Sequence, residues 1–290
     1  MQLALKIDVD TYRGTREGVP RLLDALKRHN AQASFFFSLG ADRSGRGIFG
    51  KAPRVSRLSH YGIKTMLYGT LLPSPDIGRT CADIMRSVRE QGYETGVHCF
   101  EHVRWRNHAA SKDAEWTQRE MQLAVERFTE IFGEAPKAHA AAGWQMNRDA
   151  FRLTQRLGFD YASDTCGTHP FIPTWDAEII ACPQLPTTLP TLDELLARNG
   201  ITLENVVQHL LAFTANPSAT GHVFTLRAEM EGGKWLPVFE QLLDGWKAQG
   251  YDLVSLRQYL EGIKDTLPRH AVRMGEMKGR VGVLAIQAEP

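Results

Sequence analysis

Candidate metal ligands occur in two places that lie far apart in the chain. Asp8 and Asp10 belong to an Asp-Val-Asp triplet, and His98 and His102 lie four positions apart. Histidines at positions i and i+4 share one face when the intervening turn is helical. Two imidazoles and one carboxylate leave a coordination position open for water, as a hydrolytic metal ion requires. The pattern predicts such a centre, although the spacing alone also fits two surface or capping histidines.

Short apolar runs alternate with helical patterns and must position these side chains. The alternation predicts parallel strands joined by helical crossovers, and 290 residues suit one α/β barrel of about 250 residues. The predicted strands cover 3–9, 33–38, a segment ending at His98, 137–142, 159–163, 178–182, 222–230 and 251–254, and the predicted helices cover 18–29, 76–91, 112–132, 148–157, 202–215, 234–249 and 255–264.

Polar residues follow several of these strands at their carboxyl ends. The set is Asp8, Asp10, His98, Asp164, Arg227 and Glu229. The carboxyl ends of parallel barrel strands form the active-site face, so we expect these side chains to converge there.

Composition limits the classes of function. Hydrophobic residues make up 43% of the chain, and the formal net charge is only +1, so we expect a globular protein and no nucleic-acid partner. The four cysteines form no CxxC pair, which favours a reducing compartment. The sequence starts as a first strand rather than a leader and has no run long enough to span a membrane, which predicts a cytoplasmic protein.

The strand-end Asp-x-Asp followed by His-x-x-x-His resembles the polysaccharide deacetylase family, also called the NodB-homology carbohydrate esterases. The resemblance covers residues 3–262 and implies one distorted (β/α) barrel over 1–265, with an insertion at 41–75 and a C-terminal tail at 266–290. The chain is most similar to the branch that deformylates 4-deoxy-4-formamido-L-arabinose on undecaprenyl phosphate. The segments that carry this similarity are KIDVDTYRGTREGVPRLL, GVHCFEH, AAGWQ, LPTTLPTLDE and TLRAEMEG.

The resemblance implies a role for each residue of the first motifs. Asp10, His98 and His102 would hold one divalent metal ion, and Asp8 would be the general base toward the attacking water. Zinc is the favoured ion, with cobalt, nickel, manganese and iron as alternatives. A simpler role for Asp8, as a hydrogen-bond partner only, stays open.

Of two further motifs, one departs from the family pattern and the other matches it. Ala140–Trp144 stands where the family has an arginine-containing motif, but it contains no arginine. Gly143 and Trp144 would shape the acyl pocket, and a core position is the alternative for Trp144. Asp164 matches the aspartate that orients the catalytic acid in the family, or it caps a loop.

The last motif departs most, because Arg227 stands where the family has the histidine that protonates the leaving amine. Arginine does not titrate near neutrality, so we expect reduced turnover. Three explanations stay open: another acid, a residue changed to disable the enzyme, or a chain that only binds. Glu229 is a candidate for the missing acid, because it lies on the same side of a regular strand as Arg227, whereas His222 lies on the other side. His139 and His169 are further candidate proton donors.

The insertion combines basic and apolar residues, which is typical of an interfacial membrane element. We expect 43–72 to contact an anionic membrane surface, and a lid over the barrel mouth is the alternative. Arg13 and Arg16 could bind a substrate phosphate or form salt bridges within their loop. The tail from Thr266 is expected to be loosely ordered or to face a partner.

Together these patterns predict metal-dependent hydrolysis of an N-acyl group, most simply N-formyl, on an undecaprenyl-phosphate-linked amino sugar. The resemblance implies that the product serves lipid A modification in lipopolysaccharide biosynthesis and polymyxin resistance. We expect a peripheral protein on the inner face of the inner membrane. The alternatives are an N-deacetylase acting on another glycan or lipid-linked sugar, and a catalytically silent sugar-lipid binding protein.

Overall fold

The computed structural model describes residues 1–49, 61–216, 218–263, 267–277 and 283–288, and leaves the side chains of residues 48 and 49 out. Its main sheet has seven parallel strands, in the order β5-β4-β3-β2-β1-β8, with β9 also paired to β1. These strands are β1 (Gln2–Val9), β2 (Ser34–Ser38), β3 (Glu94–Cys99), β4 (Ala138–His139), β5 (Tyr161–Ala162), β8 (His222–Arg227) and β9 (Asp252–Val254).

Helices connect these strands, as expected for a (β/α) barrel. They are α1 (Val19–Arg28), α2 (Ile77–Thr80), α3 (Ala82–Glu90), α4 (His102–His108), α5 (Ala114–Phe132), α6 (Arg148–Arg156), α7 (Leu192–Leu196), α8 (Val206–Phe213), α9 (Leu236–Ala248) and α10 (Leu256–Ile263). The predicted fold class is confirmed, and most predicted elements appear within a few residues of their expected ends.

The strand β1 shows how the sequence divides the sheet into two faces. Its odd residues Leu3, Leu5, Ile7 and Val9 are fully buried in the core that the helices cover. Its even residues point to the opposite face, because side chains alternate along a strand. Ala4 on that face packs with apolar residues of β2, β4 and β5, whereas the later even positions are charged.

Two C-terminal strands join two strands from the middle of the chain in a second, smaller sheet of four strands, in the order β11-β10-β6-β7. The strands are β6 (Ile172–Trp175), β7 (Glu178–Ile179), β10 (Arg269–Glu276) and β11 (Val283–Gln287). The prediction of a loosely ordered tail is therefore wrong for 269–276 and 283–287. The reason is that Leu284 and Ile286 are buried against Trp144 and Cys166. The domain boundary at residue 265 stays a prediction.

Other expectations need correction. The strand expected at 178–182 is short and belongs to the second sheet, antiparallel to β6. The segment 222–230 leaves the strand after Arg227 and turns. In the insertion, short 3₁₀ turns occupy Ser44–Phe49 and Thr65–Leu67, and 50–60 lies outside the described residues. No helix in the described part of the chain is long and apolar enough to cross a membrane.

Strands β2, β3 and β4 approach closely at Gly96, which has no side chain to separate them. A Cβ at this position would lie 2.6 Å from the Phe36 ring and 2.8 Å from the Ala138 carbonyl oxygen. We therefore expect Gly96→Ala to lower the free energy of unfolding by about 1–3 kcal/mol, as overpacking does elsewhere. Urea denaturation measures this change.

Gly262→Ala is the matched control for this prediction. Gly262 is an exposed residue within α10, and its nearest neighbour is the flexible side chain of Gln2. Alanine there should leave stability unchanged or raise it by about 0.5–1 kcal/mol, because alanine favours a helix over glycine. Equal effects of the two substitutions would contradict the close approach of the strands.

Candidate metal and catalytic site

The charged groups of the first and last motifs meet at the carboxyl ends of β1, β3 and β8. Asp8 is paired in register with Arg227, so both side chains lie on the same face of the sheet. Asp10 follows β1 directly, His98 is near the end of β3, and His102 is the first residue of α4. All five residues were predicted from sequence, and the fold brings them together.

Asp10, His98 and His102 could hold a metal ion. His98 Nε2 lies 3.2 Å from Asp10 Oδ1, and His102 Nε2 lies 3.4 Å from Asp10 Oδ2. One ligand atom from each residue lies within 4.8 Å of the others. Asp10 Oδ1 is buried and makes no hydrogen bond in the described structure. Two imidazole nitrogens and one carboxylate oxygen fit a divalent transition metal ion with an open coordination position.

The two histidines come together for a different reason from the one the spacing suggested. The chain from His98 to His102 is not a helical turn, because Cys99 still belongs to β3 and Glu101 has extended backbone angles. The helix begins only at His102, so a strand-to-helix turn aligns the rings. Their planes are inclined by 13° and their centroids are 5.8 Å apart.

Burial and mutual charge determine the protonation of the cluster. Burial raises the pKa of Asp8 and opposes ionisation of Asp10, but the adjacent His102 and His98 outweigh burial and lower the pKa of Asp10. Burial lowers the pKa of His102 to about 3. Burial also lowers the pKa of His98, but Asp8 and Asp10 outweigh it and raise that pKa. A neutral His102 beside an ionised Asp10 is the form that binds metal.

Sequence reasoning missed a charged residue on the same face of β1. Lys6 is completely buried, and its Nζ lies 3.7 Å from Asp8 Oδ1. His98 Nδ1 lies 3.8 Å from the same oxygen. A signal was present in the sequence, because Lys6 shares the parity of Asp8 and Asp10 in an otherwise apolar strand.

Arg227 is held by a carboxylate that carried no predicted role. Its Nη1 donates to Asp193 Oδ2 at 3.0 Å, and its backbone N–H donates to Glu231 at 2.8 Å. Burial opposes the charge of Arg227, but Asp193 and the nearby Tyr61 outweigh burial and raise its pKa well above the usual value. The guanidinium therefore stays protonated and cannot act as a general acid that transfers a proton to the leaving amine.

Glu229 reaches the site, but not along a strand. The chain turns after Arg227, with the N–H of Met230 bonded to the Arg227 carbonyl, so the parity argument for Glu229 is wrong. Glu229 Oε1 instead accepts hydrogen bonds from Asp10 N at 3.0 Å and from Thr11 N and Oγ1 at 2.8 Å. Burial raises the pKa of Glu229 to about 8. These contacts hold the loop that carries Asp10.

Asp164 is fully buried and contacts His139, one of the candidate donors, rather than Arg227. It accepts hydrogen bonds from Ala141 N at 2.8 Å and Gln184 Nε2 at 3.3 Å, and it lies 2.7 Å from His139 Nδ1. The guanidinium of Arg227 pairs with Asp193 instead. The orienting role of Asp164 stays a prediction.

The other candidate donors lie away from Asp10, His98 and His102. His139 is in register with Val97 and so faces the opposite side of the sheet from His98. His169 packs against His270 in the second sheet, with their Nε2 atoms 3.0 Å apart. His222 begins β8, at the end remote from Arg227.

Gly143 and Trp144 form a tight turn beside Lys6. Both have positive φ angles, of 63° and 53°, a conformation that is unfavourable for tryptophan. Trp144 is almost completely buried, and its Nε1 donates to Thr187 Oγ1 at 3.1 Å. Lys6 Nζ lies 5.3 Å from the centroid of its ring.

The insertion lies beside His102, one of the three candidate metal ligands. Residues of the insertion and of α4 line a small cavity: Ser44, Gly47, Tyr61, Met66, His102, Val103 and Arg106. This placement favours the lid alternative. Arg43 is bonded to Glu101 at 2.6 Å, and Arg46 donates to the Gly69 carbonyl, so both have partners within the protein.

Arg13 and Arg16 were predicted to bind a substrate phosphate. Arg13 forms a salt bridge with Glu17 and also donates to the carbonyl of Tyr61 at 3.2 Å. These contacts match the alternative of a salt bridge within the loop. Arg16 is exposed and lies over the Tyr12 ring.

Comparison with known proteins identifies the family. The polysaccharide deacetylase family model matches residues 3–162. A probable 4-deoxy-4-formamido-L-arabinose-phosphoundecaprenol deformylase from Shewanella sediminis is 34% identical, over 99% of this chain and 95% of the relative. A protein of the same description from Wigglesworthia glossinidia brevipalpis is 26% identical, over 94% of this chain and 98% of the relative.

A solved structure shows the same fold. A polysaccharide deacetylase from Mycobacterium smegmatis superimposes with a TM-score of 0.65 at 17% identity, and the match covers 95% of this chain and 94% of that one. With this fold, the match of the family model over more than half of the chain and a near full-length relative, the chain belongs to the polysaccharide deacetylase family and is a hydrolase of linear carbon–nitrogen amide bonds.

Proposed function

We propose that the protein hydrolyses an N-formyl group on an amino sugar carried by undecaprenyl phosphate. The observation that carries this proposal is the cluster of Asp10, His98 and His102, in which Asp10 and His98 are buried and His102 is partly buried, with the buried Asp8 beside it. The two curated relatives support the choice of substrate, because both are described as probable deformylases of such a lipid-linked sugar.

The positions of the side chains support a role for each of these residues. Asp10, His98 and His102 would hold one divalent ion, with zinc favoured. When bound, such an ion polarises the acyl oxygen and makes water more acidic. Asp8 would take a proton from the water that attacks the formyl carbon. Formate then leaves, and the sugar keeps a free amine.

Departure of the amine requires a proton on the amide nitrogen, and Arg227 cannot supply it. We propose that this substitution lowers turnover by about 10²–10⁴-fold relative to a chain with histidine, the usual contribution of a positioned acid. The ion pair with Asp193 supports this proposal, because it keeps the guanidinium charged. The same observation favours a second candidate function, a sugar-lipid binding protein without turnover.

We further propose that the protein acts at the cytoplasmic face of the inner membrane, bound peripherally through the insertion. Ile63 and Leu71 support this proposal, because their side chains are 72% and 81% exposed. Lys64 adds a positive charge beside Ile63. We propose that the product amine serves lipid A modification and polymyxin resistance, which is what the family resemblance implies.

The metal ligands can be tested without substrate. We expect His98→Ala to lose the bound ion, because only one imidazole and one carboxylate remain. His222→Ala, at the other end of β8, should keep one ion per chain. Elemental analysis after dialysis measures both. Stoichiometric metal in the His98 variant would disprove the ligand assignment.

The role of position 227 can be tested by formate release from a polyprenyl-phosphate formamido-sugar. We expect Arg227→His to release formate at least about a hundredfold faster than the unaltered chain, because imidazole can donate a proton near neutrality. Arg227→Gln removes the charge without adding an acid, so it should show no such gain.

The outcomes of this assay separate the candidate functions. Equal gains with histidine and glutamine would show that the arginine obstructs the site, and that its inability to donate a proton is not what limits turnover. Acetate released instead from an acetamido-sugar would favour an N-deacetylase. Binding without any release by either form would favour the silent binding protein.

Membrane binding can be tested by flotation with anionic vesicles. We expect the double substitution Ile63→Ser and Leu71→Ser to reduce the floating fraction severalfold, because it removes two exposed apolar side chains. Leu203→Ser is the control, since Leu203 is 50% exposed but lies outside the insertion. Unchanged flotation of the double variant would argue against this surface.

A further inference from the structure

Lys6 is a lysine buried in the middle of the first strand, with no exposed surface. Its Nζ donates to the carbonyl oxygen of Ser163, at 2.8 Å, across the inner face of the barrel. An isolated ammonium is costly in such a place unless it is hydrogen-bonded and paired with an opposite charge. An apolar side chain would fill the same volume at no such cost, so the retained charge points to a role in the site.

The opposite charge nearest to Lys6 is the carboxylate of Asp8. Asp8 Oδ1 lies between two nitrogen groups, 3.7 Å from Lys6 Nζ and 3.8 Å from His98 Nδ1. This oxygen is buried and makes no hydrogen bond in the described structure. Lys6 and His98 therefore act on this oxygen by electrostatic attraction, without a hydrogen bond.

The surroundings of Lys6 explain why a cation fits there. Ala140 and Ala142 are fully buried, in the motif that has no arginine, and bring no charge of their own. The ring of Trp144 in the same motif lies 5.3 Å from Lys6 Nζ, within the distance of a cation–π interaction. Lys6 of β1 therefore places a positive charge beside Ala140–Trp144, the motif that has no arginine.

We propose that Lys6 is a positioning residue that acts through Asp8. Its ammonium holds Asp8 Oδ1 so that the carboxylate keeps one orientation beside His98 and faces the attacking water. This inference rests on the proposed function, in which Asp8 is the base. It concerns the placement of Asp8 and assigns no proton transfer to Lys6 itself.

The first test is a double-mutant cycle on unfolding, which needs no substrate. Lys6→Met and Asp8→Asn should each raise the unfolding equilibrium constant, because each leaves a buried charge without its partner. In the double variant, the rise in the unfolding equilibrium constant should be at least tenfold smaller than the product of the rises in the two single variants. A cycle of Lys6→Met with Asp193→Asn is the control, and its effects should multiply, because Asp193 pairs with Arg227.

The second test is formate release by metal-loaded Lys6→Met. We expect kcat to fall at least tenfold, KM to change less than threefold, and one metal ion per chain to remain. An unchanged kcat, or loss of the metal, would overturn the positioning role. Coupling below threefold in the first test would overturn it independently of the substrate.

The two tests also separate this inference from the proposed function. Coupling in the cycle together with no formate release by the unaltered chain or by Arg227→His would refute the formyl substrate. The Lys6–Asp8 pairing would still be supported in that case.

Discussion

The site depends on one constraint: ionised groups buried at the ends of the barrel strands must balance one another. Asp8 and Asp10 lie almost completely out of solvent, where a lone carboxylate would be protonated or would destabilise the fold. Lys6 and His98 face them from the same side of the sheet and oppose their charge, and the neutral imidazole of His102 lies beside Asp10. The register of the parallel strands makes this possible, because it places charged positions of different strands side by side.

The surrounding structure keeps this cluster in place. Glu229 accepts hydrogen bonds from the backbone N–H groups of Asp10 and Thr11, and so shapes the loop that carries a candidate metal ligand. The second sheet packs against Trp144, and Gln145 Nε2 donates to the Val283 carbonyl at 2.7 Å. The C-terminal hairpin therefore supports the turn whose tryptophan lies over Lys6. In contrast, Arg227 is bonded to Asp193, so the position of the family's acid histidine holds a group that does not titrate near neutrality.

Much of this arrangement could be predicted from local sequence patterns. Strand and helix periodicity predicted the parallel sheet. Positions at strand ends predicted that Asp8, Asp10, His98 and Arg227 belong to the site. The position of Glu229 could not be predicted by parity, because the strand ends at Arg227 and long-range contacts with Thr11 determine the turn. Asp193 belongs to a separate helix, α7, and its pairing with Arg227 depends on where that helix packs. No local pattern in the sequence of β8 indicates this pairing. The hairpin at the C-terminus was missed because its burial depends on Trp144 and Cys166, which are distant in sequence.

The central claim is that a metal ion at Asp10, His98 and His102 enables hydrolysis of a formamide. The most direct measurement is formate release from a polyprenyl-phosphate formamido-sugar by the metal-depleted chain during stepwise return of zinc. Our account predicts no release without metal and a slow release that rises to a plateau at one zinc ion per chain. Release that is independent of zinc and of the other candidate metal ions would contradict it.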